Sequence, residues 1–186
     1  MTSLATKRAC VVRPTFRSVF DDELPFVWNA LRRLGVPERD LEDVAHEVFL
    51  VVARLLPEYD PERSLRPWLF AIAAKTASSY RRRAQNRRES LLPSELDSAD
   101  PTPLADMQLR AHEETNLARK ALLAVPEDRR SVLVLHDFEG VPMQEITAAL
   151  DIPLKTGYSR LRIGREELIA AARRLAHAPS LSRSTP

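Results

Sequence analysis

The chain has 186 residues, enough for one or two domains, and 44% of them are hydrophobic, enough for real cores. Fourteen prolines against four glycines point to stiff joints, and the near absence of alternating β-branched runs excludes a fold built on sheet. A single cysteine, Cys10, excludes an internal disulfide and a cysteine zinc cluster, and no apolar run approaches a membrane span.

Net charge is only +2, but its distribution is uneven. Glu38 to Glu62 is acidic, 65–88 strongly basic, Glu89 to Glu114 acidic again, and Lys155 to Arg183 basic. Two basic patches separated by an acidic, proline-bearing joint suit two contact points on one long polyanion. The start, MTSLATKRACVV, lacks the apolar core of a signal peptide, so a soluble cytoplasmic protein is expected.

Residues 1–17 carry scattered cations without a clear period and are expected to form a flexible arm. A helix is predicted from Asp21 to Leu34, with Asp21, Asp22 and Glu23 where the dipole favours acids and Gly35 closing it. Pro37 opens the next helix. Leu41, Val44, Ala45, Val48, Val52 and Leu55 make its core stripe. Its opposite face carries Asp43, His46, Glu47, Leu50 and Arg54, with Phe49 at the border. A leucine and a phenylalanine among acids point to a protein-binding face rather than a merely solvated one. His46 has no second histidine or cysteine at metal spacing.

Pro57 ends that helix. The stretch LRPWLFAIAAKTASSYRRRAQNRR predicts a third helix, to about Arg83, with Leu69, Ile72, Ala73, Thr76 and Tyr80 on its core stripe. A second face holds Trp68, Lys75, Ser79 and Arg82. Arg81, Arg82, Arg83, Arg87 and Arg88 follow with no acid before Glu89. One or two arginines would only offset the helix dipole; five suit phosphates and stackable bases. Tyr80 is a tempting stacking residue, but its place on the core stripe favours packing.

Residues 89–113, with Pro93, Pro101 and Pro103, read as a linker. A second unit is predicted over 114–178, ending in a tail at 179–186. One helix runs from Pro126 to about Phe138, where Gly140 breaks it. A short helix spans Met143 to Leu150, with Ile146, Ala149 and Leu150 inward. After Asp151-Ile152-Pro153 a long helix runs from Leu154 to about Ala176. Short helix, brief turn and basic helix is the helix-turn-helix arrangement, whose second helix enters the major groove. Its inner stripe is Gly157, Leu161, Gly164, Leu168, Ala171 and Leu175. Its outer face carries Tyr158, Ser159, Arg162 and Arg165, with Arg160 near the border. The expected fold is all-α: two small helical domains, 18–88 and 114–178, joined by a flexible linker.

These residues resemble a known family. The D-x-E-D-x-x-x-E-V-F run at Asp40–Phe49 and the R-x-W-L-x-x-I-A run at Arg66–Ala73 are similar to region 2 of bacterial RNA polymerase sigma factors of the extracytoplasmic-function (ECF) type. Residues 122–168, with L-x-x-x-x-S-R-L at Leu154–Leu161, resemble region 4. The resemblance implies that Asp43, His46, Glu47, Phe49 and Leu50 bind the clamp helices of the largest subunit of core RNA polymerase. It implies that region 2 melts and holds the promoter −10 element with Trp68, Lys75, Ser79, Arg81, Arg82 and Arg83. It implies that Thr156, Tyr158, Ser159, Arg160, Arg162 and Arg165 read the −35 element, with region 4 touching the polymerase flap. An anti-sigma factor is a further partner known in this family.

Thr147, Asp151 and Gly157 depart from the family pattern, which has a small residue, a glycine and a branched apolar residue there. Gly157 and Gly164 inside one helix, each costing about 1 kcal/mol relative to Ala, predict a less rigid region 4 or one that reads a less typical −35 sequence. His46 stands where Gln is frequent. A helix-turn-helix regulator that does not recruit polymerase is the alternative, but it leaves the acidic face at 38–55 and the adjacent Trp/Arg face without a joint purpose. No phosphate loop, metal spacing or nucleophile–base pair is evident, so no catalytic residue, metal or cofactor is expected. His112 and His136 stand alone, and Asp137 is not expected to face His136 on a helix.

Overall fold

The computed structural model describes residues 13–90 and 106–177, with side chains at 88–90 and 106–114 left aside. The expected arm up to residue 12, the linker over 91–105, the tail from 178 and the side chain of Arg88 lie outside the described part.

Three helices form the first unit: α1 (Phe16–Arg33), α2 (Leu41–Leu55) and α3 (Leu65–Ser90), each packed on the other two. Helix α1 begins five residues before the predicted start. Thr15 is its N-cap, and its hydroxyl accepts from Ser18 N at 3.2 Å. The acids at 21–23 therefore lie inside the helix rather than at its start. Gly35, at φ +96°, closes it: Val36 N donates to Leu31 O (3.1 Å) and Gly35 N to Arg32 O (3.2 Å). This doubly bonded ending satisfies carbonyls that a helix terminus would leave orphaned, and it needs the left-handed backbone glycine adopts freely.

The predicted α2 stripe is buried, except for Leu55, which is exposed. In α3 the buried face is Leu69, Phe70, Ile72, Ala73 and Ala77, while Thr76 and Tyr80 are half-buried. The helix also runs past Arg83 to Ser90.

The second unit contains α4 (Asp106–Leu123), α5 (Glu127–Leu133), α6 (Met143–Ala149) and α7 (Leu154–Ala176). Helix α4 starts inside the stretch expected to be linker. Helix α5 continues in wider π geometry over Val134–Phe138, with Glu139 N bonded to Val134 O at 3.1 Å. Val132, Leu133, Val134 and Leu135 are all fully buried. A helix apolar on every side must be covered on every side, and α7 covers one flank of α5. The inner residues of α6 are Met143, Ile146 and Thr147, whereas Ala149 and Leu150 are only half-buried. Among the described residues the two units share one continuous apolar cluster.

Polar contacts cross between the units where α1 ends. The Leu34 carbonyl accepts from Arg81 of α3 and, at 3.5 Å, from Arg130 of α5. Arg81 pairs with Glu127 at 2.6 Å, and Arg33 pairs with Glu139 and covers the Phe138 ring at 4.9 Å. Three cationic groups thus gather at the negative end of the α1 dipole.

Candidate nucleic-acid interface

Helices α2 and α3 lie flank to flank and leave a groove of about 580 Å³ between them. Glu47, Leu50 and Arg54 line it from α2; Trp68, Lys75, Ser79 and Arg83 line it from α3. Val51 and Ile72 supply an apolar floor. Leu50 stands 62% exposed on the rim. Across the groove Arg83 Nη2 donates to both Glu47 oxygens, at 2.9 and 2.8 Å. A residue expected to meet polymerase and one expected to meet DNA therefore hold each other.

Asp43 and His46 are exposed beside Glu47. Phe49 is different. It is 2% exposed, and its ring lies 4.7 Å from that of Phe20, in an edge-on contact that Phe16 joins. The expectation that Phe49 sits on the docking face is corrected: α1 extends far enough back to cover it.

On α3, Lys75 and Arg82 are exposed and Ser79 is half-buried; Arg82 Nη2 reaches Ser79 Oγ at 3.4 Å. Trp68 is half-buried, with its ring 4.7 Å from Tyr59, so one face of the indole is already occupied. Arg81 is corrected as well: it turns from the basic surface to the Leu34 carbonyl and Glu127. Tyr80 packs against the core, and its hydroxyl donates to Asp40 Oδ2 at 2.6 Å. Burial first, and then that bond, push its phenol up to about 12.

Helix α7 presents Tyr158 (53% exposed) and Ser159 outward, with Thr156 half-buried. Each predicted arginine on it has an acid. Arg160 lies 3.3 Å from Asp128, Arg162 bonds Glu166 at 2.8 Å, and Arg165 bonds Asp137 through Nε (2.8 Å) and Nη2 (2.5 Å). His136 Nδ1 lies 2.8 Å from Asp137 Oδ1, which corrects the expectation that these neighbours do not meet. The stretch has π rather than α geometry, so α-helical spacing does not govern their directions. The Asp137 carboxylate is held below the usual range, first by its bond from Arg165.

The turn before α7 is made by Asp151 in the left-handed region, φ +52°, as the missing glycine implied. Gly157 is buried, and the space a side chain would take is filled by Thr147 and Met143. The core volume that Gly157 leaves is supplied by neighbours on α6.

Sequence reading missed the acids that hold the arginines. Asp137 and Arg165 are 28 positions apart, and no periodicity within one element links them. Arg130 was missed for a related reason: a charged side chain only 7% exposed has no signature in the sequence.

A three-helix unit with a cationic, tryptophan-bearing groove, packed on a helix-turn-helix, is the architecture of a DNA-binding protein. Two family profiles match it: Sigma-70 region 2 over residues 19–87, and Sigma-70, region 4 over residues 115–168. The chain is 28% identical over 145 residues to RNA polymerase sigma factor NccH of Alcaligenes xylosoxydans xylosoxydans, covering 76% of this chain and 78% of that one. It is 32% identical over 148 residues to ECF RNA polymerase sigma factor SigE of Mycolicibacterium smegmatis, covering 76% of this chain and 55% of that one. Its fold matches the structure of CnrH in complex with the cytosolic domain of CnrY, with a TM-score of 0.59 at 24% identity, over 86% of this chain and 88% of that one. The chain belongs to the RNA polymerase sigma-70 factors of the ECF type, which direct RNA polymerase to promoters. No described helix is long and apolar enough to cross a membrane.

Proposed function

We propose that the two halves of the molecule divide promoter recognition as follows. The exposed face of α2, with Asp43, His46, Glu47 and Leu50, docks on the clamp helices of the largest polymerase subunit. The flank of α3, with Trp68, Lys75, Ser79, Arg82 and Arg83, holds the separated strand of the −10 element. Helix α7 reads the −35 element, and its unit touches the polymerase flap. The observation that carries this reading is the shared groove, in which Glu47 and Leu50 of α2 face Trp68, Lys75 and Arg83 of α3. Strand opening requires no bond-breaking chemistry. It requires unpaired bases held out of the stack, at about 1–3 kcal/mol per stacked base, and cations along the backbone. The protein therefore acts without catalysis or cofactor, in the cytoplasm with its polymerase. The two working parts are α1 to α3 and α4 to α7, the second beginning earlier than the limit of 114 expected from the sequence.

CnrH was solved with CnrY, and a related sigma factor, RpoE of Bartonella quintana, with the anti-sigma factor NepR. An anti-sigma factor for this chain is proposed by analogy, with the exposed Leu50 rim as its contact. The test is transcription in vitro. Purified protein is mixed with sigma-free core polymerase and genomic DNA, and start sites are mapped. Defined starts absent with core alone are expected; none above core alone ends the reading.

A further inference from the structure

We infer that Asp137 is a positioning and specificity-determining residue for the −35 contact, acting by holding the Arg165 guanidinium in one orientation on the reading helix. This inference rests on the proposed role of α7.

Arg165 differs from the other cations of that helix. Arg162 bonds Glu166 one turn along its own helix, and both side chains are about two-thirds exposed, at 66% and 63%. Such a pair moves with the helix and fixes nothing relative to the fold. Arg160 approaches Asp128 by Nε at 3.3 Å. Arg165 makes a two-pronged bond, Nε to Oδ2 and Nη2 to Oδ1, to a carboxylate on a different element. That carboxylate is braced by His136 on its Oδ1 and is 28% exposed, whereas the Arg165 side chain is 50% exposed.

A guanidinium has five N–H donors in a rigid fork. The two bonds to Asp137 use two of them and leave three for a phosphate or a base edge. The fork is then ordered before DNA arrives, so less side-chain entropy is lost on binding. The carboxylate has a second effect. It places a fixed negative charge beside the DNA-facing surface, where it repels phosphates that arrive out of register. Both effects favour the correct site over others, and the second weakens binding to DNA in general.

The test uses the full chain assembled with core polymerase, and a promoter duplex taken from start-site mapping. A second duplex carries the same −10 element and a scrambled −35 element. Asp137→Asn keeps the shape and removes the charge. It is expected to bind the scrambled duplex about threefold more tightly and to lower the promoter-to-scrambled ratio by about fivefold to tenfold. The scrambled duplex should also show a salt dependence steeper by about one phosphate contact. Asp137→Glu, which can remake the pair, should recover most of the ratio. An unchanged ratio, or equal weakening on both duplexes as a merely structural role would give, overturns the inference. Where Asp137→Asn does not fold, Arg165→Lys carries the test. It keeps the charge without the fork, and discrimination equal to wild type overturns the inference. A wild-type holoenzyme indifferent to the −35 sequence overturns the proposed role of α7 and this inference together; a discriminating wild type matched by Asp137→Asn overturns this inference alone.

Discussion

The methyl group of Thr147 lies 2.5 Å from the point where a Cβ on residue 157 would stand, and Met143 Sδ lies 2.7 Å from it. Gly157 on the reading helix and Thr147 on α6 are therefore complementary, one empty where the other is full. Thr147 is β-branched and stiff at χ1, and its hydroxyl is tied to Gln144 O at 3.1 Å, so it cannot swing aside cheaply. Gly157→Ala should gain about 1 kcal/mol of helix propensity and lose about 1–3 kcal/mol to overpacking, a net loss of stability. With Thr147→Ala in the same chain the stiffer of the two clashes is removed, only the flexible Met143 side chain has to shift, and the propensity gain remains. Denaturant unfolding of the two single variants and the double should give a favourable coupling of about 1–3 kcal/mol. Additive effects would mean the two positions are independent.

Adjacent residues on α2 should separate folding from docking. Phe49 is packed among the aromatic rings of α1, so Phe49→Ala should cost about 3–5 kcal/mol of stability. Leu50 is on the rim, where a substitution should change stability by no more than about 0.5 kcal/mol. Leu50→Asp should nonetheless weaken association with core polymerase by about tenfold or more. Melting curves and a core-binding titration on the same preparations check both halves. A Leu50→Asp protein that binds core normally would remove the rim from the docking surface.

Much of this was legible in the sequence because the elements are amphipathic and punctuated. The α2 stripe, the basic end of α3 and the order of short helix, turn and reading helix follow from spacing, and the region 2 resemblance from two dense runs. Helix ends were less legible. Thr15 and Ser18 form a local cap that the acids at 21–23 obscure, and without the extra turn of α1 nothing in the sequence covers Phe49. The partners of Arg81, Arg130 and Arg165 were not legible at all. Each is a long side chain that finds its acceptor on another helix, and such pairings are made by tertiary packing. Thr147 and Gly157 were each visible as departures from a family pattern, but that they offset one another needed coordinates.

The Tyr80–Asp40 bond makes a prediction at high pH. The Tyr80 phenol is raised to about 12 from its ordinary 10.0, so the folded state keeps a proton that the unfolded state releases. The resulting stability is fully present below pH 10 and is lost as pH rises towards 12. The loss should be on the order of 1–2 kcal/mol, since the group is only partly buried. Tyr59 is raised as well, mainly by burial, and contributes to the same decline. Tyr80→Phe isolates the one bond: between pH 9.5 and 11.5 its unfolding free energy should fall less steeply than that of wild type. Parallel slopes would mean that the proton is not held there.

Charge pairs as well as apolar contacts meet at the junction of the two units. Arg81 and Arg130 point two cationic groups at one carbonyl, that of Leu34. Arg130 is buried, and burial followed by the neighbouring Arg81 lowers its guanidinium from the ordinary value. Like charges at such distance repel, and a buried charge left unpaired is expensive. Glu127, 2.6 Å from Arg81, supplies the negative charge that lets both remain. Glu127→Gln removes that charge with little change of shape. The cheapest response is for the units to part and return the guanidiniums to water. Arg33→Glu should act in the same direction by setting two acids together at Glu139, and Arg33→Glu with Glu139→Arg should restore the pair. Small-angle scattering of the full chain should therefore show a larger radius of gyration for Glu127→Gln and for Arg33→Glu, and a value near wild type for the exchanged pair. If all variants scatter alike, the apolar contacts alone hold the units together, and the arginines at the end of α1 are bystanders.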